Sequence, residues 1–167
     1  VEKLALYCDA SPQAPVPLDA AALDAVGATT EEDGFAPLVN AVLSGDARAI
    51  PREFRRMREL SLNPVGLLLA FERRAAQLAQ LAARLGRSDK IASFIEAEKA
   101  ARRVFFRDAD DLKVQLAHWR GERLDRLVRR LAETHRALLS NSQAADTLLA
   151  QELAEIARNA LKDRRKG

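Results

Sequence analysis

A chain of 167 residues with 27 Lys and Arg against 24 Asp and Glu, 48% hydrophobic but only 5% aromatic residues and a net charge of +3, is built to be helical and rich in Ala, Leu and Arg. It is long enough for one good core or for a domain with a small appendage. No apolar run can span a bilayer, nothing reads as a signal peptide, and Cys8 as the single cysteine excludes an intrachain disulfide and fits a reducing cytoplasm. One Cys and two His argue against a structural zinc site.

In chain order, "VEKLALYC" at the start has helical spacing, with Leu4, Ala5 and Cys8 on one face and no residue before it to cap its first turn. It is expected to be a piece of a longer protein, cut within or just before a helix. The Pro-rich "DASPQAPVP" breaks the pattern, Asp19 heads a short helix to Val26 with Leu23 and Val26 inward, and "GATTEEDG", residues 27–34, reads as a polar loop. From Phe35 the spacing becomes regular: Phe35, Leu38, Val39, Val42 and Leu43 form one buried helical face. Gly45-Asp46 is a minimal helix joint, with Gly suited to the left-handed position after a helix and Asp to the cap of the next.

The second helix turns Ile50, Phe54 and Met57 inward and carries Arg48, Arg52, Arg55, Arg56 and Arg58 on its other faces. Pro51 lies either in its first turn, where it is tolerated, or just beyond it, where it would kink the helix. Asn63-Pro64 is a strong start signal for a long third helix with Leu68, Phe71, Ala75, Leu78, Ala82 and Leu85 inward, ended by Gly86. Ser88 is a cap candidate for a short helix holding Ile91, Phe94 and Ile95. Residues 101–111, "ARRVFFRDADD", interrupt the periodicity. Asp108, Asp110 and Asp111 mark a new start, with Leu112, Leu116 and Trp119 buried. Gly121 breaks that helix, Leu124, Leu127, Leu131 and Leu138 define the next, "SNS" ends it, and Leu149, Leu153 and Ile156 define the last, which runs into the basic "KDRRKG". No stretch reads as a strand.

Nothing in this order assembles a catalytic or metal centre. There is no Gly-rich phosphate loop, no HExxH and no CxxC, and His118 and His135 fall on different helices as surface or helix-edge residues. "TTEED" and "DADD" lack the alternating ligands and central Gly of a calcium loop; the first reads as solvated loop and the second as a helix N-terminus. Most arginines read as solvated or ion-paired helix surface. Trp119 reads as core. For Phe105-Phe106 a core corner is the first reading, and a base-stacking element flanked by arginine is the second.

Taken together, "VEKLALYC", the Pro-containing break, the acidic loop, the run from "FAPLVNAVLSGDARAI" to "LLLAFERRAAQLAQL", and "VFFRDADDLKVQLAHW" resemble, in order and spacing, the C-terminal part of the delta subunit of bacterial DNA polymerase III, a component of the sliding-clamp loader. The resemblance covers nearly the whole chain. It departs from the family at Pro51 and at Ser61-Leu62, where a glycine often precedes the Asn-Pro start. It implies that residues 1–33 are the end of the helical lid domain and 34–167 an all-α helical bundle, the collar domain. It implies a non-catalytic role without cofactor, metal or membrane, in the cytoplasm: holding delta in the loader ring through the collars of delta-prime and the gamma or tau subunits. The AAA+-related N-terminal domain of the family, which grips the beta clamp, would lie upstream. The collar of the family lies near the template strand, so Arg102, Arg103, Phe105, Phe106 and Arg107 are the candidate DNA contacts. The alternative is an Arg-rich helical nucleic-acid-binding module that uses the second helix and the basic tail.

Overall fold

The structure, a computed structural model, describes residues 31–60, 63–140 and 145–164. The chain divides into units Val1–Thr30 and Glu31–Gly167, and the second is the one described. The expected helices around Cys8 and around Leu23 and Val26 lie outside the described residues, as do Ser61-Leu62. The order is α1 (Glu31–Leu43), α2 (Ile50–Glu59), α3 (Pro64–Leu85), α4 (Ile91–Ala100), a 3-10 turn (Phe106–Asp108), α5 (Ala109–His118), α6 (Glu122–Ser140) and α7 (Ala145–Arg164). No strand occurs among the described residues, and the fold is an all-α bundle. The long α3 packs against α1, α5, α6 and α7. Its Leu67, Leu68, Phe71, Ala75, Leu78, Leu81 and Leu85 are buried, and Ala82 packs half-buried against the same core.

The acidic run expected as a loop instead opens α1: Glu31, Glu32 and Asp33 are helical. Acidic residues suit the positive end of a helix, which explains the reversal. The expected stripe Phe35, Leu38, Val39, Val42 and Leu43 is buried. A Cβ on Gly66 would lie 3.0 Å from the Phe35 ring, so the start of α3 approaches α1 where glycine leaves room.

The Gly45-Asp46 joint is a Schellman closure. Gly45 takes φ +68°. Its N–H donates to the Val42 carbonyl at 3.2 Å, and the Asp46 N–H donates to that of Ala41 at 2.8 Å. Asp46 Oδ1 then accepts from the Arg48 and Ala49 N–H groups at 3.1 and 3.2 Å. The capped turn leads into α2, so Pro51 sits second in the regular helix, in the tolerated first turn. Met57 is buried, and Ile50 and Phe54 pack half-buried on the core.

Asn63 caps α3 by accepting from the Val65 N–H at 2.8 Å, and Gly86 ends it at φ +62°. Ser88 does not cap α4. Its hydroxyl accepts from the Lys90 N–H at 3.2 Å in a turn that precedes the helix, and Lys90 occupies the cap position. Arg120, just after α5, donates to the Gly86 and Ser88 carbonyls at 3.0 Å each and fixes that turn. Leu112, Leu116 and Trp119 are buried as expected, and so are the four α6 leucines Leu124, Leu127, Leu131 and Leu138 and the α7 residues Leu149, Leu153 and Ile156.

Candidate nucleic-acid interface

The five sequence-predicted residues share one corner between α4 and α5. The α4 end closes with a second Schellman pattern: the Arg102 N–H donates to the Lys99 carbonyl and the Arg103 N–H to the Glu98 carbonyl, both at 2.9 Å. The left-handed residue here is Arg102, at φ +58°, the one non-glycine residue with positive φ among the described residues. The chain then runs through buried Val104, passes Phe105 in an extended conformation, and tightens into the 3-10 turn before buried Ala109.

Core packing of the Phe pair is overturned. Phe105 is 58% and Phe106 64% exposed, because Val104 and Ala109 take the inward positions of the corner. The rings lie 4.7 Å apart between centroids at 50°. The Arg107 guanidinium sits 6.0 Å from the Phe105 centroid and 5.6 Å from that of Phe106, within cation–π range.

The corner is positively charged. Arg103 binds Glu98 through two hydrogen bonds, at 2.8 and 3.0 Å, and Arg84 reaches the same carboxylate at 2.8 Å. The Arg103 bonds hold the Glu98 carboxyl below its ordinary value against its burial, and the Arg84 charge assists. One buried carboxylate thus serves two exposed arginines and leaves a surplus cation. Arg102 is exposed and makes no ion pair among the described residues. Of the nearby acids, Asp108 is bound by Arg74 at 3.0 Å and Asp110 by Lys113 at 3.0 Å. Asp108 therefore faces Arg74 instead of capping α5 with its own side chain.

Other polar groups are structural. Asn40 of α1 donates to Asp111 Oδ2 at 2.6 Å and accepts from Gln115 Nε2 at 3.0 Å, a bridge to α5 that sequence reasoning missed. The available signal was Gln115 falling beside Leu116 and one turn from Leu112, on the buried face. Glu53, which the sequence reading did not single out, is buried and held by Arg52 at 2.9 Å and Arg56 at 3.9 Å. His135 Nδ1 meets Glu72 at 2.8 Å. A groove of about 1090 Å³ between α6 and α7 carries Arg123, Arg126, Arg130, Glu133 and Glu152, and the Arg130–Glu152 pair at 2.6 Å crosses it.

No group of three or more His, Cys, Asp or Glu able to hold a metal occurs among the described residues. No helix among them is long and apolar enough to cross a membrane. No protein-family model, curated protein or solved structure matches the chain.

Proposed function

We propose that this chain is a non-catalytic interaction module of a sliding-clamp loader, corresponding to the end of the lid and the collar of a bacterial DNA polymerase III delta subunit. One observation carries the reading: among the described residues, motifs behind the resemblance are joints of the helical bundle. Gly45-Asp46 closes the α1–α2 corner, Asn63-Pro64 starts α3 with a side-chain cap, and the segment that ends at Trp119 ties α5 back to α1. The role is to hold delta in the ring through delta-prime and gamma or tau, in the cytoplasm and with no cofactor of its own. Contact with the beta clamp belongs to the family's N-terminal domain. The test is size-exclusion chromatography of the chain with the C-terminal regions of delta-prime and gamma from the same organism. Co-elution with either, and none with the beta clamp, is the expected result. Clamp binding by this chain alone, or indifference to both loader subunits, overturns the reading.

A second reading, a nucleic-acid-binding helical module, is favoured by α2. Arg48, Arg55 and Arg58 are exposed and form no ion pair among the described residues. Phosphate contacts made there would lose affinity steeply as salt rises, whereas collar–collar packing would not.

A further inference from the structure

We propose that the outer face of α6 is a self-complementary docking surface for a second copy of this chain, the two α6 helices crossing antiparallel at Ala132. α6 packs on α3 and α7, and its buried leucines Leu124, Leu127, Leu131 and Leu138 face that way. Its opposite face also carries large apolar side chains. Val128 is 44% and Leu139 71% exposed. They stand about three turns apart, so they fall on one line along the helix. Half-buried Ala132 and His135 lie between them on that line. Glu72 of α3 holds His135 Nδ1 at 2.8 Å and draws the ring towards the bundle. What remains is a short seam with an apolar side chain near each end and a small one at its middle. The alternation of four- and three-residue steps is the spacing by which helices pair, and the core of this chain does not use it.

The charges beside the seam select its occupant. Asp125 and Arg136 flank it on one side, both exposed, and neither forms an ion pair among the described residues. Measured from Ala132 along the helix, Asp125 and Leu139 lie about 10 Å away in opposite directions, and Val128 and Arg136 about 6 Å. An antiparallel crossing at Ala132 therefore brings Val128 beside Leu139 of the second copy and Asp125 beside its Arg136, each offset by about one turn. Two-fold symmetry repeats both contacts, so the crossing is closed by two apolar pairs and two ion pairs. A parallel pairing sets Asp125 against Asp125 and Arg136 against Arg136, and like charges disfavour it. Any other helix must supply the same order of acid, apolar and basic residues, which a second copy already carries. One helix pair covers less than the roughly 1,200 Å² of a stable interface, so the dimer is weak and exchanges with monomer.

The test is sedimentation equilibrium of the full chain from micromolar to millimolar concentration. The weight-average mass is expected to climb from the 18.4 kDa of one chain towards twice that. Leu139→Glu places a charge in the seam and is expected to weaken the dimer about tenfold or more. Asp125→Arg and Arg136→Asp each set like charges opposite one another and are each expected to weaken it roughly fivefold. The double variant restores the dimer, and so does an equal mixture of the two single variants, because opposite charges then meet again across the crossing. All three side chains are exposed, so circular dichroism should show the wild-type helical signal throughout. The proposal is overturned if the chain stays monomeric at millimolar concentration or if Leu139→Glu leaves the dimer unchanged. It is equally overturned if the double variant and the mixture remain as weak as the single variants. It rests on α6 alone, so a monomeric chain overturns it and leaves the loader reading to its own test.

Discussion

The indole Nε1 of Trp119 donates to the carbonyl of Leu43 at 2.8 Å, across 76 residues of sequence. This bond completes the end of α1. The carbonyls of Asn40, Ala41 and Val42 already accept from Ser44, Asp46 and Gly45, so the tryptophan takes the last carbonyl of that helix. Trp119→Phe keeps a buried ring and deletes the donor. It should destabilise the chain by about 1–3 kcal/mol, the usual cost of a buried acceptor left without a partner. Urea denaturation followed by circular dichroism measures it, and a midpoint equal to wild type would show that the bond contributes nothing.

Gly45 serves the same corner through its backbone. At φ +68°, an added Cβ crowds the following carbonyl. Gly45→Ala should lose about 1–2 kcal/mol, read as a lower melting temperature with the helical signal intact. An unchanged melting temperature would mean that the joint can relax to another closure.

Leu78 lies fully buried at the middle of α3, which packs against α1, α5, α6 and α7. Leu78→Ala leaves a cavity with few routes to collapse and should cost about 2–5 kcal/mol. A loss within error of zero in chemical denaturation would place the core elsewhere.

What the sequence disclosed, and what it hid, divides by range. Leu78, Trp119 and the α6 leucines recur at helical spacing, so their burial is written locally; Gly45, Gly86 and Asn63-Pro64 punctuate the helices for local reasons as well. The Asn40–Asp111–Gln115 bridge was hidden because its members come together only once α1 packs on α5. Glu53 and Glu98 were hidden for a related reason: acids among arginines read as solvated surface, yet both carboxylates are buried under the arginines they bind. At the candidate site, the residues and their charge were legible, but the exposure of the Phe pair was not. It depends on Val104 and Ala109 taking the inward places, a choice that the interrupted periodicity left open.

Acid titration should separate two carboxyls with opposite signs. Hydrogen bonds from Lys113 and Lys99 lower the Glu96 pKa from 4.5 to about 2. A depressed carboxyl contributes stability that is complete above its unfolded value and is lost as pH falls through the folded one, here from 4.5 towards about 2. Asp111 runs the other way. Burial raises it above its ordinary 3.8, the charges of Asp108 and Asp110 add to the rise, and Arg74 opposes it. Its contribution is therefore complete below 3.8 and declines as pH rises through the folded value. Glu96→Gln should flatten the acid-side loss of stability. Asp111→Asn, which retains an oxygen to accept from Asn40, should remove the decline above 3.8 and leave the chain at least as stable near neutrality. Urea midpoints measured from pH 2 to 7 for the two variants and wild type decide the matter. A Glu96→Gln profile parallel to wild type would mean that the lysine pairs are screened by solvent, and a lower neutral stability for Asp111→Asn would mean that the Arg74 attraction outweighs burial.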